Sequence, residues 1–173
     1  MLKLIRTDSS DTDFHSLVRE LDADLQVRDG ADHAFFAQFN KIDKIQHVVV
    51  AYSDNLPVGC GAVKEFQEGV MEVKRMYVKP EFRGKGIASE VLKNLEAWAA
   101  GMKYRKCVLE TGEKQPEAIA LYKRCLLYTS DRKPVCLIKS SSGRCIVFNI
   151  SVRVLFFAPS TVIPNATEML NGE

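Results

Sequence analysis

Apolar and polar positions along the chain fall into blocks, some alternating with the period of a strand and some recurring at helical spacing. Residues 2–6, LKLIR, predict a short first strand. Phe14, Leu17, Val18, Leu21 and Leu25 then share one face of a helix that Asp11 or Thr12 can cap. Phe35, Phe36 and Phe39 mark a second helical piece. HVVVAYS is strand-like, SDNLP is turn chemistry, and VGCGAVKEF and VMEVKRMYV follow as two more strands separated by the turn QEG. Three consecutive strands joined by tight turns form an antiparallel meander, not a βαβ unit. From Ile87 the apolar positions Val91, Leu92, Leu95, Trp98, Ala99 and Met102 predict an amphipathic helix of about four turns. CVLET supplies another strand. Gln115 and Pro116 open a further helix, with proline at its first position, that carries Ile119, Leu121 and Tyr122.

Composition adds bounds to this layout. A chain of 173 residues with 46% apolar content suits one globular domain with a real core. The formal net charge of +2 gives no global basic field, so neither nucleic acid nor an acidic membrane surface is an expected partner. No apolar run approaches a membrane span, and MLKLIRTDSSDTD lacks the long apolar core of a signal peptide, so a cytoplasmic location is expected. The five cysteines are odd in number and include no CxxC pair, which fits reduced thiols. Cys60, set between Gly59 and Gly61, and Cys107, on a strand, fit small buried hydrophobes. The sequons at Asn149 and Asn165 carry no meaning in that compartment. His15, His33 and His47 are scattered without ligand spacing, so no metal site is expected.

Local charge is more telling than net charge. In KRMYVKPEFRGKGIASEV, residues 74–91, a strand runs through a proline into a basic, glycine-punctuated turn and then into a helix. Arg83, Gly84, Lys85, Gly86, Ile87 and Ala88 fall where the unpaired N–H groups of a first helical turn point outward. Glycine lets the backbone approach a phosphate without a Cβ in the way, and Arg83 and Lys85 add fixed charge. An ordinary surface turn before a helix is the alternative. A nucleotide P-loop is excluded, because Gly86 is followed by Ile87 and Ala88 where that motif needs Lys and Ser/Thr. A dinucleotide fingerprint needs a third glycine or alanine where Ser89 stands, and a parallel unit in front of it.

MYVKPEFRGKGIASEVLKNLEAWA followed by CVLETGEKQPEAIALYKR resembles the acetyl-CoA-binding half of the GCN5-related N-acetyltransferase (GNAT) superfamily. Arg83, Gly86 and Ala88 meet that superfamily's Arg/Gln-x-x-Gly-x-Gly/Ala motif. Ala118, Leu121 and Tyr122 meet its later Asn-x-x-Ala-x-x-Leu-Tyr pattern, with Gln115 where asparagine is usual. The likeness covers residues 1–124 in element order and about 70–124 in motif detail. It implies an α/β (α+β) fold with a mixed, mostly antiparallel central sheet flanked by helices. It implies that the turn cradles the pyrophosphate of acetyl-CoA, the co-substrate, and that a strand splayed from its neighbour receives the pantetheine arm through main-chain contacts from Met76 and Val78. The Met76 N–H becomes the candidate for polarising the thioester carbonyl, while its side chain is expected to pack in the core.

The implied reaction is attack of a primary amine, on a small molecule or a peptide, upon the thioester. An alkylammonium with a pKa near ~10 must first lose a proton, so a carboxylate within reach is wanted. Glu72 occupies the position at which histone-acetylating members of the superfamily carry a general base, and Glu110 lies on the next strand. A salt bridge or a strand-edge carboxylate is the alternative for each. Tyr122 resembles the family's general acid, a phenol that is protonated at neutral pH and can donate. The phenylalanines of HAFFAQF either line the acceptor pocket or belong to the core. Direct transfer in a ternary complex is expected, since no Cys–His pair points to an acetylated enzyme. A module that holds acyl-CoA without turnover is the second reading, and monomer and homodimer are equally open.

After Arg124 the chain departs from the family pattern. CLLYTSD resembles a translation of the transposase mosaic-end DNA used in sequencing-library preparation. The expectation is that the native reading frame is interrupted near residue 125 and that residues 125–173 are readthrough of unrelated DNA. The other reading is a divergent tail in which RCIVFNISVRVLFF supplies one or two strands. If the tail is foreign, VRVLFF becomes an exposed, aggregation-prone run.

Overall fold

The computed structural model describes residues 1–30, 42, 45–112, 114–127, 137–140 and 143–151. His33, Phe35, Phe36 and Phe39, and the VRVLFF run, lie outside these residues. In chain order the elements are β1 (Leu2–Thr7), α1 (Thr12–Asp29), β2 (His47–Ser53), β3 (Leu56–Gln67), β4 (Val70–Val78), α2 (Ile87–Gly101), β5 (Lys106–Gly112), α3 (Pro116–Leu127), β6 (Leu137–Ser140) and β7 (Gly143–Ser151). The strands form one sheet in the order β1-β2-β3-β4-β5-β7-β6. Only β4 and β5 run parallel among these neighbours, so the sheet is mixed and mostly antiparallel, as the sequence implies.

Two packed faces explain the long apolar runs. Because side chains alternate across a strand, Val48 and Val50 join Cys60, Ala62 and Tyr77 on the face covered by Phe14, Leu17, Val18, Leu21 and Leu25 of α1. Val49, Ala51, Val58 and Val63 turn to the opposite face, where Val91, Leu92 and Leu95 of α2 close over them. HVVVA is therefore apolar at every inner position. Asp11, not Thr12, caps α1: its carboxylate accepts the Phe14 N–H at 2.9 Å. Asp54 and Asn55, at φ 50° and 66°, turn β2 into β3 in the conformation that two-residue hairpin loops require.

Small residues on β3 set how closely α2 sits. A Cβ on Gly61 would meet the Met76 sulfur and approach Leu95 Cδ1 and Val91 Cγ1 to 2.9 Å each. Cys60, between the glycines, is fully buried on the α1 face, and its thiol donates to the Arg75 carbonyl at 3.4 Å. Cys107 is equally buried, so both thiols are the small hydrophobes that their setting in the sequence suggests.

β4 carries the irregularity that shapes the molecule. Its register with β3 steps from Ala62↔Lys74 to Cys60↔Tyr77, which leaves Arg75 and Met76 opposite Gly61 alone. This is a bulge, with one extra residue on β4. Arg75 takes φ 58° there, and its guanidinium, 6% exposed, is held to Asp22 of α1 at 2.7 Å. On its other side β4 pairs with β5 only from Val70↔Lys106 to Val73↔Leu109. Beyond that point the strands part. β5 remains paired with β7 along its whole length, from Lys106↔Ser151 to Gly112↔Cys145, and β6 pairs with β7 outside it. RCIVFNIS thus lies within a strand, as one of the two readings of the tail has it.

Two consequences can be measured. Gly61→Ala overpacks the contact between β3 and α2 and should lower unfolding free energy by about 1–3 kcal/mol in urea denaturation. On α2, half-buried Glu96 has its carboxyl lifted by burial to about 7, partly offset by Lys93. A folded-state value above the ordinary 4.5 means that its contribution to stability is complete below that value and lost as pH rises through 7. Glu96→Gln, which never ionises, should match the parent near pH 4.5 and exceed it at pH 8 by about 1–2 kcal/mol once solvent screening is allowed for.

Candidate functional site

β4 and β5 part beyond Leu109, and a cavity of about 230 Å³ lies beside the end of β4, bounded by α1, the turn after β4, the start of α2 and α3. Met76, Tyr77 and Val78 of β4 form one wall. The Met76 side chain packs with the α2 core, as expected. The Val78 carbonyl accepts Arg83 Nε–H at 2.9 Å. Tyr77 donates its hydroxyl to Glu20 at 3.3 Å, and its own pKa is pushed up to about 12 by burial and by the Glu20 charge.

The turn after β4 closes one end of the cavity. A single 3-10 turn, Pro80–Phe82, leads to Arg83, and Gly84 and Gly86 sit at φ 76° and 80°, the left-handed region that only glycine enters without strain. Gly86 is the N-cap of α2 and offers no side-chain acceptor to the first-turn N–H groups. A Cβ at Gly84 or Gly86 would meet nothing within 4 Å, so this backbone faces open space. Ile87, Ala88 and Ser89 continue the wall. Lys85 behaves otherwise: its ammonium stands 4.8 Å from the Phe82 ring and is absent from the lining.

α3 supplies the opposite wall. Gln115 accepts the Ile119 N–H through its carbonyl at 3.1 Å and so begins the helix just before Pro116, as the sequence predicts. Its side-chain oxygen accepts from Thr111 at 3.4 Å. Tyr122 lines the cavity and is 6% exposed. Burial pushes its phenol pKa up, so the hydroxyl keeps its proton at neutral pH.

The two candidate carboxylates lie elsewhere. Glu72 belongs to the paired part of β4, outside the lining, and is bonded to Lys74 at 2.8 Å. Glu110 is exposed and follows Leu109, the last residue of β5 paired with β4, so it stands where the strands begin to part.

Asp24, Arg28 and Glu117 also line the cavity, and local pattern does not reveal them. Asp24 holds Arg28 at 3.0 Å and Arg83 at 3.4 Å, while Glu117 holds Arg28 at 2.5 Å and Arg83 at 3.8 Å. The four charges alternate in a closed ring that joins α1, the glycine turn and α3. Burial pushes the Glu117 carboxyl up, but the bonds from Arg28 and from its own N–H outweigh this, and its pKa lies below the ordinary value. Only the Asp24–Arg28 spacing, i and i+4 on one helix, is readable locally.

A sequence model of the acetyltransferase (GNAT) family matches residues 13–126. Over 76 residues the chain is 40% identical to an IAA acetyltransferase of Azospirillum brasilense, a stretch covering 43% of this chain and 50% of that one. The chain spans about half the length of the curated relatives it matches. Among solved structures, an IAA acetyltransferase from Bacillus cereus is similar in fold with a TM-score of 0.61 at 19% identity, over 87% of this chain and 99% of that one. A GNAT family acetyltransferase from Elizabethkingia anophelis with acetyl-CoA bound gives 0.57 at 18% identity, over 87% and 97%.

Proposed function

The chain belongs to the GNAT acetyltransferase family, and on that premise we propose that it is an N-acetyltransferase that moves the acetyl group of acetyl-CoA to a primary amine of a small molecule or peptide. The observation that carries the reading is the cavity beside the end of β4 that has parted from β5, closed at one end by a glycine turn with two left-handed residues and lined on the other side by Tyr122. These residues suit the co-substrate. A pantetheine arm needs free backbone on a strand, and a pyrophosphate needs N–H groups and cations without intervening Cβ atoms. Arg83, Gly84, Gly86, Ile87 and Ala88 would hold the pyrophosphate and Gln115 the arm, with Lys85 acting only as a nearby charge.

Acetyl-CoA supplies the activated acyl group as a thioester. The Met76 N–H is the group assigned to its carbonyl, and Tyr122, kept protonated by burial, to the leaving sulfur. Glu72 is the proposed base for the incoming amine, with Glu110 as the second carboxylate nearer the opening. Direct transfer fits two of the described cysteines: Cys60 and Cys107 are fully buried, and burial raises both thiols, Cys107 to about 12. The catalytic unit is assigned to residues 1–124. Residues 125–173 are proposed to be readthrough that nonetheless lends β5 a partner strand, and the codons of Cys125 to Ser130 decide the point: if they do not spell the mosaic end, the readthrough reading is wrong.

A thermal-shift titration with acetyl-CoA, against ATP and a nicotinamide dinucleotide, should raise the melting midpoint with acetyl-CoA alone. In an amine screen Tyr122→Phe and Glu72→Gln should keep that shift and lose about 10²–10⁴-fold in kcat. Glu110→Gln costing more than Glu72→Gln would move the base to Glu110. Binding without turnover on any amine would favour the non-catalytic acyl-CoA module, and a clean melt with no shift would end the assignment.

A further inference from the structure

We propose that Arg28, on helix α1, is a positioning residue for the anion site: it neutralises Asp24 and Glu117 and so leaves the Arg83 guanidinium available to a phosphate-bearing ligand. The inference rests on reading the cleft as an acetyl-CoA site. Two carboxylates beside a diphosphate site are a liability, because each repels the ligand and each competes for the cation meant to bind it. Distances show which cation takes that load. Arg28 meets Asp24 at 3.0 Å and Glu117 at 2.5 Å, whereas Arg83 stands off at 3.4 and 3.8 Å. Arg83 is anchored instead through Nε to the Val78 carbonyl at 2.9 Å, which fixes its stem and leaves its terminal nitrogens loosely engaged.

Burial fits the same division of labour. The Arg28 side chain is 22% exposed and that of Arg83 34%, so the arginine more withdrawn from solvent is the one that holds the carboxylates at short range, and both line the cavity. Arg28 also occupies the last turn of α1, where the helix dipole favours a cation, and its Nη1 reaches the Lys114 carbonyl at 3.5 Å. Without Arg28 the ring would hold two anions and one cation. Both carboxylates would then close on Arg83, and the mouth would carry net negative charge.

Isothermal titration of acetyl-CoA into the full chain tests this. Arg28→Gln should weaken binding about tenfold, and half-molar salt should narrow the gap. Adding Glu117→Gln to Arg28→Gln restores the ring's neutrality and should recover affinity to within about threefold of the parent. The triple variant with Asp24→Asn as well should bind at least as tightly as the parent, and it keeps the test decisive if Arg28→Gln alone does not fold. Rescue by a second loss is not what a merely structural arginine allows. A parent that does not bind acetyl-CoA brings down the reading of the cleft and this inference together. A parent that binds, with Arg28→Gln within twofold of it or with double and triple variants as weak as the single, overturns the inference alone.

Discussion

Everything distinctive about this molecule depends on the place where two parallel strands stop pairing. β4 and β5 share a ladder from Val70 to Val73 and then part, while β4 runs on to Val78 and β5 to Gly112. Backbone N–H and C=O groups inside a fold need partners, so a strand that loses its neighbour while core surrounds it acquires a demand. Arg83 meets it at the Val78 carbonyl. On the proposed reading the rest of that edge would receive an extended guest, and an interruption in a ladder would serve as a binding feature. The bulge at Arg75 and Met76 adds twist at the same point, and the ion pair from exposed Asp22 to the buried Arg75 side chain holds a backbone conformation that a non-glycine residue resists.

Helix α1 is tied to this opening by charge as well as by packing. Its apolar stripe fixes it to one sheet face, and its polar flank sends Glu20 to Lys79, Asp22 to Arg75 and Asp24 to Arg83. Three carboxylates spaced two apart thus meet three cations on β4 and on the turn that follows it. Ion pairs with a carboxylate that reaches solvent, as these three have, are individually weak. Their value lies in register, since they hold α1 against the strand that shapes the cleft.

Fold and turn were legible in the sequence to the extent that their signals are local. HVVVAYS, the three-strand meander, the α2 stripe and the start of α3 at Pro116 all follow from periods of 2 or 3.6 and from turn residues. Gly84 and Gly86 were legible because positive φ selects glycine. The bulge was hidden, because its positive φ falls on an arginine. The ring was hidden because Arg83 meets Asp24 across 59 positions of sequence and Glu117 across a whole helix and strand. Lys85 shows the limit from the other side: a basic residue in a phosphate-like turn is not thereby aimed at the phosphate, and this one rests on Phe82.

The parting of β4 from β5 raises the importance of β7. A strand paired on one side only can bend toward whatever lies on its other side, and β5 is unpaired toward β4 beyond Leu109. On its other side β5 has a continuous ladder with β7, from Lys106 to Gly112. The molecule is thus two half-sheets, β1–β4 and β5–β7–β6, hinged on four ladder pairs and bridged by α2 and α3. A partner strand for β5 makes few sequence demands beyond extended, apolar-rich character, because ladder bonds come from backbone. On the proposed reading, residues after Arg124 that depart from the family pattern would still serve β5 as a partner strand, whatever DNA encodes them.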